Sequence, residues 1–378
     1  MSSQKPILTE EIACGPRHRL AILTINKPAA MNAVDLTMVG MIGEALEQWQ
    51  QDNRVVAVLM RGAGERAFCA GGDIRQLYDS INAKGKKRYQ YADAFFSGEY
   101  GKNYRVHQFT KPLIAWGQGF VMGGGLGLYI GANHRIGCQS LKLAWPEVRI
   151  GLFPDVAASY YLARLPYPMG HWMALTGSHI NAADARQLGL TQYTLSDDDW
   201  PALLEALQQL AWSDNRAINH QQVRSLVTTM TDEQGIDSHW QSVSDDLKEL
   251  FGDSLESLGP QPLMRLDARL REYHSDNEWL QQGLENYRQG CPATAALIMR
   301  QLERGATMSL KEVVQWELVL AYQAVRHPDF AEGIRAMVVD KDNQPKWQHS
   351  SAMQVDDTWL NQLTASPWQA DEHPLADL

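Results

Sequence analysis

Apolar positions alternate from Leu20 to Ile25 and predict a strand, and the uninterrupted apolar run Val55 to Met60 predicts a second one buried on both faces. Between them Met38, Met41, Ile42, Ala45, Leu46 and Trp49 recur at helical spacing and form one apolar stripe. Strand, helix, strand in that order predicts a parallel α/β unit, because parallel neighbours need a crossover connection. A third strand is expected over Pro112 to Trp116, followed by Gly117-Gln-Gly119, a glycine triplet and an apolar helix over Leu126 to Ile130. The unit then repeats in outline. From about Pro201 the β-branched runs thin out, and helical spacing governs Pro201 to Trp212, Asn277 to Arg288, Thr294 to Arg304 and Ser309 to Arg326. This places a boundary near residue 200, with an α/β region over 1–200 and a mainly helical region over 201–378. No internal repeat, heptad array or low-complexity tract interrupts the pattern. The tail after Trp347 is polar and is expected to wrap the surface.

Composition narrows the class. A chain of 378 residues with 44% hydrophobic content can bury a large core and exceeds the usual length of one domain. A formal net charge of −10 argues against a nucleic-acid protein, which needs a clustered basic surface. A polyanionic ligand must therefore meet local positive charge, for which the run Lys84-Gly-Lys-Lys-Arg88 is one candidate and a solvated helix start the plainer reading. Cys14, Cys69, Cys138 and Cys291 show no paired spacing of a zinc or redox site and are too few for a disulfide scaffold. His18, His107, His134 and His171 show no ligand spacing, so no metal is expected. The opening stretch MSSQKPILTEEIACG has no apolar run behind a basic cluster, and no stretch approaches the ~20 apolar residues of a membrane span. A soluble, cytoplasmic protein with no membrane partner is expected.

Three segments carry candidate chemistry. In Ala67-Phe-Cys-Ala-Gly-Gly-Asp-Ile-Arg75, two glycines follow a strand and lead into a helix. Their amides can approach a ligand closely and donate to a developing oxyanion, although a turn needs glycine for conformational reasons alone. In Gly119-Phe-Val-Met-Gly-Gly-Gly-Leu-Gly127, three adjacent glycines cost roughly 0.5–1 kcal/mol each relative to alanine in an element interior, so a close approach or tight helix packing must compensate. The spacing is not that of a dinucleotide fingerprint. In Trp145-Pro-Glu147-Val-Arg-Ile-Gly-Leu-Phe-Pro-Asp155, two carboxylates sit in an otherwise apolar, Pro- and Gly-bent loop. Burial would raise both carboxyl pKa values and could divide them into a base and an orienting partner; alternatively Asp155 caps the helix that follows. No serine occupies a GxSxG elbow.

In this order the segments resemble the crotonase, or enoyl-CoA hydratase/isomerase, superfamily over about Leu20 to Leu190. The resemblance implies an α/β fold, a spiral of ββα units followed by a mainly helical C-terminal region, with a coenzyme A thioester site in the first part. It implies that the Gly72 and Gly124 amides hold the thioester oxygen, and that Lys27, Met31, Ala70, Gly72, Asp73, Ile74 and Arg75 contact coenzyme A. The hydratase branch uses two glutamates. Here the second matches Glu147, whereas Gly127 occupies the first position. The Pro-Glu-x-x-Ile-Gly-Leu-Phe-Pro-Asp pattern instead resembles the subfamily that hydrolyses 3-hydroxyisobutyryl-CoA, as do Asp329 to Asp342 and Pro345-Lys-Trp347. That implies substrate contacts from Glu99, Gly124, Glu147 and Asp155. Ala157-Ala158 and Cys291-Pro-Ala-Thr depart from the subfamily pattern and bear on acyl preference rather than chemistry.

The expected activity is hydrolysis of a short-chain acyl-CoA in valine breakdown, without a cofactor because coenzyme A belongs to the substrate. Gly72 and Gly124 would stabilise the oxyanion, Glu147 would act as base or nucleophile, and Asp155 would orient water or the substrate hydroxyl. Two alternatives stand beside this reading: a hydratase or isomerase on the same fold, and a non-catalytic acyl-CoA-binding protein. Relatives often form trimers, which leaves a homo-oligomer open.

Overall fold

The computed structural model describes residues 5–231, 235–259 and 262–378, so the first four residues of the opening stretch lie outside the described residues. Contacts group the chain into two compact units. The first comprises Met1–Gly72, Lys102–Leu143 and Ile180–Ser238, and the second Asp73–Gly101, Ala144–His179 and His239–Leu378.

The first unit is built on a six-stranded sheet of β1 (Ile7–Ala13), β2 (Arg19–Ile25), β3 (Val55–Gly62), β5 (Leu113–Gly117), β7 (His134–Cys138) and β9 (Tyr193–Leu195), in that spatial order. The edge strand β1 runs antiparallel to β2 with Ile7 opposite Ile25, and the pairs from β2 onward are parallel. Parallel strands covered on both faces read as unbroken apolar runs, and Val55–Met60 is buried throughout. Leu20–Leu23 is likewise buried on both faces, so the alternation read there is a strand without a solvent side. One face packs Leu20, Ile22, Leu59, Ile114 and Ile136 against Leu203 and Leu207 of helix Trp200–Gln208 and Val223 and Val227 of helix Arg216–Met230. Those two helices follow residue 200 and still belong to the first unit, because the sheet's apolar face needs a cover. The boundary near 200 marks a change of secondary structure: among the described residues no strand follows Leu195.

A second sheet has three short strands, β4 (Ala67–Cys69), β6 (Phe120–Met122) and β8 (Lys142–Ala144), in that order. The chain therefore repeats long strand, short strand, helix. β3 and β4 lead to α2 (Ile74–Ile81), β5 and β6 to α4 (Gly123–Gly131), and β7 and β8, after a loop, to α5 (Ala158–Leu162). This is the expected spiral of ββα units. The remaining helices of this stretch are α1 (Leu36–Gln51), whose first turn is capped by the Asp35 carboxylate accepting from the Met38 amide at 3.0 Å, and α3 (Gln90–His107). Each glycine- or acid-bearing segment singled out above follows one of the three short strands.

The C-terminal helices pack in the second unit, where Pro292–Gly305 and Leu310–Ala324 both meet α5. The polar tail does more than wrap the surface. It forms a helix, Asp357–Thr364, and its sparse apolar residues Leu360, Leu363 and Leu375 are buried.

Candidate active site

In the first unit the two glycine bends converge. The chain leaves β4 through Ala70, Gly71 and Gly72, and Gly71 has φ +107. A Cβ built there would lie 3.5 Å from the Met122 carbonyl and 3.8 Å from the Gly124 nitrogen. At Gly125 a Cβ would meet the Cys69 carbonyl at 2.3 Å, so close backbone approach explains the triplet. Gly72 forms a parallel bridge with Val34 in which the Val34 amide donates to the Gly71 carbonyl at 2.9 Å. α4 begins within the triplet, and its first amides are those a helix leaves without an i−4 carbonyl. This is donor geometry suited to an anionic oxygen.

Beside this lies the bend that carries Lys27 and Met31. The buried Asn32 side chain accepts from the Lys27 amide at 3.0 Å and donates to the carbonyls of Ala63 at 3.0 Å and Ala67 at 2.8 Å. Met31 and Asn32 both take positive φ, and the Met31 carbonyl accepts from the Ala70 amide at 3.0 Å. Lys27 also pairs with Asp35 at 3.8 Å. Thus Lys27, Met31, Ala70, Gly72 and Gly124 form one neighbourhood, with Asn32 as an organising residue that the sequence reading passed over.

In the second unit Asp73, Ile74 and Arg75 open α2. Asp73 accepts from the Gln76 side chain, and the exposed Arg75 donates to the Val338 carbonyl at 3.1 Å.

The second unit also holds the acids, and they face inward: Glu99 is 3% exposed, Glu147 4% and Asp155 4%. Glu147 opens a 3-10 turn, Glu147–Ile150, closed by Gly151 at φ +70, where a Cβ would meet the Asp329 carbonyl at 2.5 Å. Asp155 does not cap α5. Its carboxylate accepts from the Tyr100 hydroxyl at 2.7 Å, and its carbonyl accepts from the Trp145 indole at 3.2 Å. Glu99 is not a solvated helix residue either. It shares the buried side of α3 with Ala92, Phe95, Phe96 and Tyr100, and Phe96 stands edge-on to Tyr100. An acid inside an apolar stripe was the signal available.

Burial in this apolar setting disfavours the charged forms. It pushes Asp155 up to about 7 against the opposing hydrogen bond from Tyr100. Burial first and the Asp155 charge second raise both Glu99 and Glu147 well above the ordinary carboxylate range. Glu99 Oε1 and Glu147 Oε2 have no protein hydrogen-bond partner among the described residues. A buried carboxylate oxygen left open, beside a second acid with displaced proton affinity, is what proton transfer to a bound reactant requires.

A further buried acid was not anticipated. Glu317, on the apolar helix Leu310–Ala324, is fully buried and accepts from the amides of Ala157 at 2.7 Å and Ser159 at 2.9 Å. Burial raises it to about 8.

Among the described residues no three His, Cys, Asp or Glu side chains group to hold a metal ion, and no helix is long and apolar enough to cross a membrane. The four cysteines are buried and free.

Residues 20–364 match the family model described as enoyl-CoA hydratase/isomerase. The chain belongs to the enoyl-CoA hydratase/isomerase family. This family member is 31% identical to the mitochondrial 3-hydroxyisobutyryl-CoA hydrolase of Danio rerio, covering 92% of this chain and 87% of the relative. It is 32% identical to the protein of that name from Dictyostelium discoideum, over 93% and 91%. Among solved structures it is similar to an enoyl-CoA hydratase from Rhodobacter sphaeroides, with 30% identity and a TM-score of 0.80 over 96% of this chain and 98% of that one. A carnitinyl-CoA dehydratase from Mycobacterium thermoresistibile is 28% identical with a TM-score of 0.80, over 96% and 97%. Within this family member, Gly127, which the sequence reading matched to the first hydratase glutamate, is a buried glycine of α4.

Proposed function

We propose that the chain hydrolyses a short-chain acyl-CoA thioester, with 3-hydroxyisobutyryl-CoA as substrate. The carrying observation is the set of three inward-facing acids, Glu99, Glu147 and Asp155, in a chain with Gly127 where a hydratase has its other glutamate. Adding water across a double bond divides proton removal and delivery between two such glutamates; thioester hydrolysis needs one base, an oriented water and stabilisation of the oxyanion. The names borne by the full-length relatives favour the same reading.

The Gly72 and Gly124 amides are assigned the thioester oxygen, a contribution of roughly 2.7–4 kcal/mol per donor in comparable sites. Glu147, whose Oε2 is open, is assigned the proton of the attacking water. Asp155, pinned by Tyr100, orients that water or the substrate hydroxyl, and Glu99 contacts the acyl group. The contacts to coenzyme A are assigned to Lys27, Met31, Ala70, Asp73, Ile74 and Arg75.

Free thiol released from 3-hydroxyisobutyryl-CoA, followed beside the enoyl absorbance of crotonyl-CoA, tests the reading. Thiol release with unchanged enoyl absorbance is expected. Loss of enoyl absorbance would instead make the chain a hydratase, and binding with neither change would make it a non-catalytic acyl-CoA-binding protein.

A further inference from the structure

Asp155 is followed by two residues in an unusual conformation. Val156 has φ 54 and Ala157 φ 72, and neither is glycine. A left-handed β-branched residue is a genuine outlier, kept only where its surroundings over-determine it. Those surroundings come from two consecutive helices far along the chain. On helix Leu310–Ala324, Glu317 takes the amides of Ala157 and Ser159, one on each carboxylate oxygen. On helix Pro292–Gly305, Gln301 donates to the Pro154 carbonyl and the Ser159 hydroxyl, both at 3.0 Å. The turn is thus gripped on both sides of Asp155 by side chains more than 140 positions away.

We infer that Glu317 is a positioning residue: its carboxylate holds the left-handed Val156–Ala157 turn and thereby aims the Asp155 carboxylate, making its C-terminal helix part of the reaction machinery. An acid buried in an apolar setting is costly, and a glutamine cannot accept one amide on each of its two terminal atoms as Glu317 does, because its nitrogen only donates. The groups whose titration feels Glu317 are Glu147 and Tyr100, and Glu317 in turn feels Asp155; burial is the leading cause of the raised pKa in each of the three.

The kinetic arm of the test rests on the hydrolase reading. In Glu317→Gln we expect kcat for 3-hydroxyisobutyryl-CoA to fall about 10- to 100-fold while KM changes less than about threefold. Adding Ala157→Gly, which adopts positive φ without strain, should restore part of kcat. Hydrogen exchange supplies an arm independent of activity: the Ala157 and Ser159 amides should exchange at least about tenfold faster in Glu317→Gln than in the parent protein. Unchanged exchange would overturn the inference, as would unchanged kcat. If the parent protein releases no thiol, the hydrolase reading falls while exchange still decides the positioning role. Should Glu317→Gln fail to fold, Glu317→Asp carries the same comparison: retained protection of the two amides supports the grip, and protection lost with activity intact refutes it.

Discussion

At the residue scale the chemistry turns on which acids keep an open oxygen. Tyr100 occupies Asp155 and two amides occupy Glu317, whereas Glu99 Oε1 and Glu147 Oε2 have no protein partner among the described residues. Replacing Glu147 with glutamine preserves shape and removes the base. General-base steps contribute about 10²–10⁴-fold, so kcat for thiol release should fall within that range with KM little altered. A variant with full turnover would remove Glu147 from its assigned role. The pH dependence has a definite sign. Asp155 is raised to about 7 by burial, and Glu147 is raised in the same direction. Both must be ionised to work, so the parent rate should climb with pH through neutrality and be lost as pH falls, well above the ordinary carboxylate range. A kcat profile flat between pH 5 and pH 8 would contradict this assignment, a comparison whose window follows from the raised values.

At the element scale glycines separate into those required by a neighbour and those merely tolerated. A Cβ on Gly125 would strike the Cys69 carbonyl, which is β4 backbone and cannot swing aside. Gly40, inside α1, has nothing within 4 Å of the same built atom. Gly125→Ala should therefore destabilise by about 1–3 kcal/mol or more, while Gly40→Ala should stabilise by roughly 0.5–1 kcal/mol through helix propensity. Denaturant midpoints for the two variants check the pair, and equal shifts would refute the packing account. The same contrast explains what could be read without a structure. β3 and α1 announce themselves through long periodic runs, as do the C-terminal helices. The three-residue strands β4, β6 and β8 are too short to establish a period, and β1 hides because most of its residues face solvent. Of the site, the glycine bends and the Glu147–Asp155 loop show in local composition. Tyr100, Asn32 and Glu317 do not, since each acts through partners fixed by the fold, and Glu317 in particular lies within an apolar helix far from the turn it holds.

At the scale of the whole molecule, a chain of net charge −10 also buries Glu99, Glu147, Asp155 and Glu317 in its second unit. That arrangement ties function to stability through protons. Asp155 moves from 3.8 to about 7 and Glu317 from 4.5 to about 8, and Glu147 moves upward too. Between the ordinary and the raised values the folded protein binds more protons than the unfolded chain, so stability falls as pH rises. Their contribution is fully present below the unfolded-state values near 4 and is lost as pH passes through the raised values. General repulsion among surface acids also grows over this range, so the absolute pH dependence does not isolate the site. A difference between proteins does. Glu147→Gln keeps the volume and removes one ionisation, leaving the surface charge otherwise the same. Its stability gain over the parent should be larger at pH 8.5 than at pH 5, because the unfolded parent releases the Glu147 proton with rising pH while burial opposes that release in the folded protein. A tenfold change in proton affinity corresponds to about 1.4 kcal/mol, so the gain should be measurable by thermal or urea unfolding. A midpoint difference equal at the two pH values would mean that Glu147 ionises in the folded protein as it does in water, and that its burial exacts no electrostatic cost.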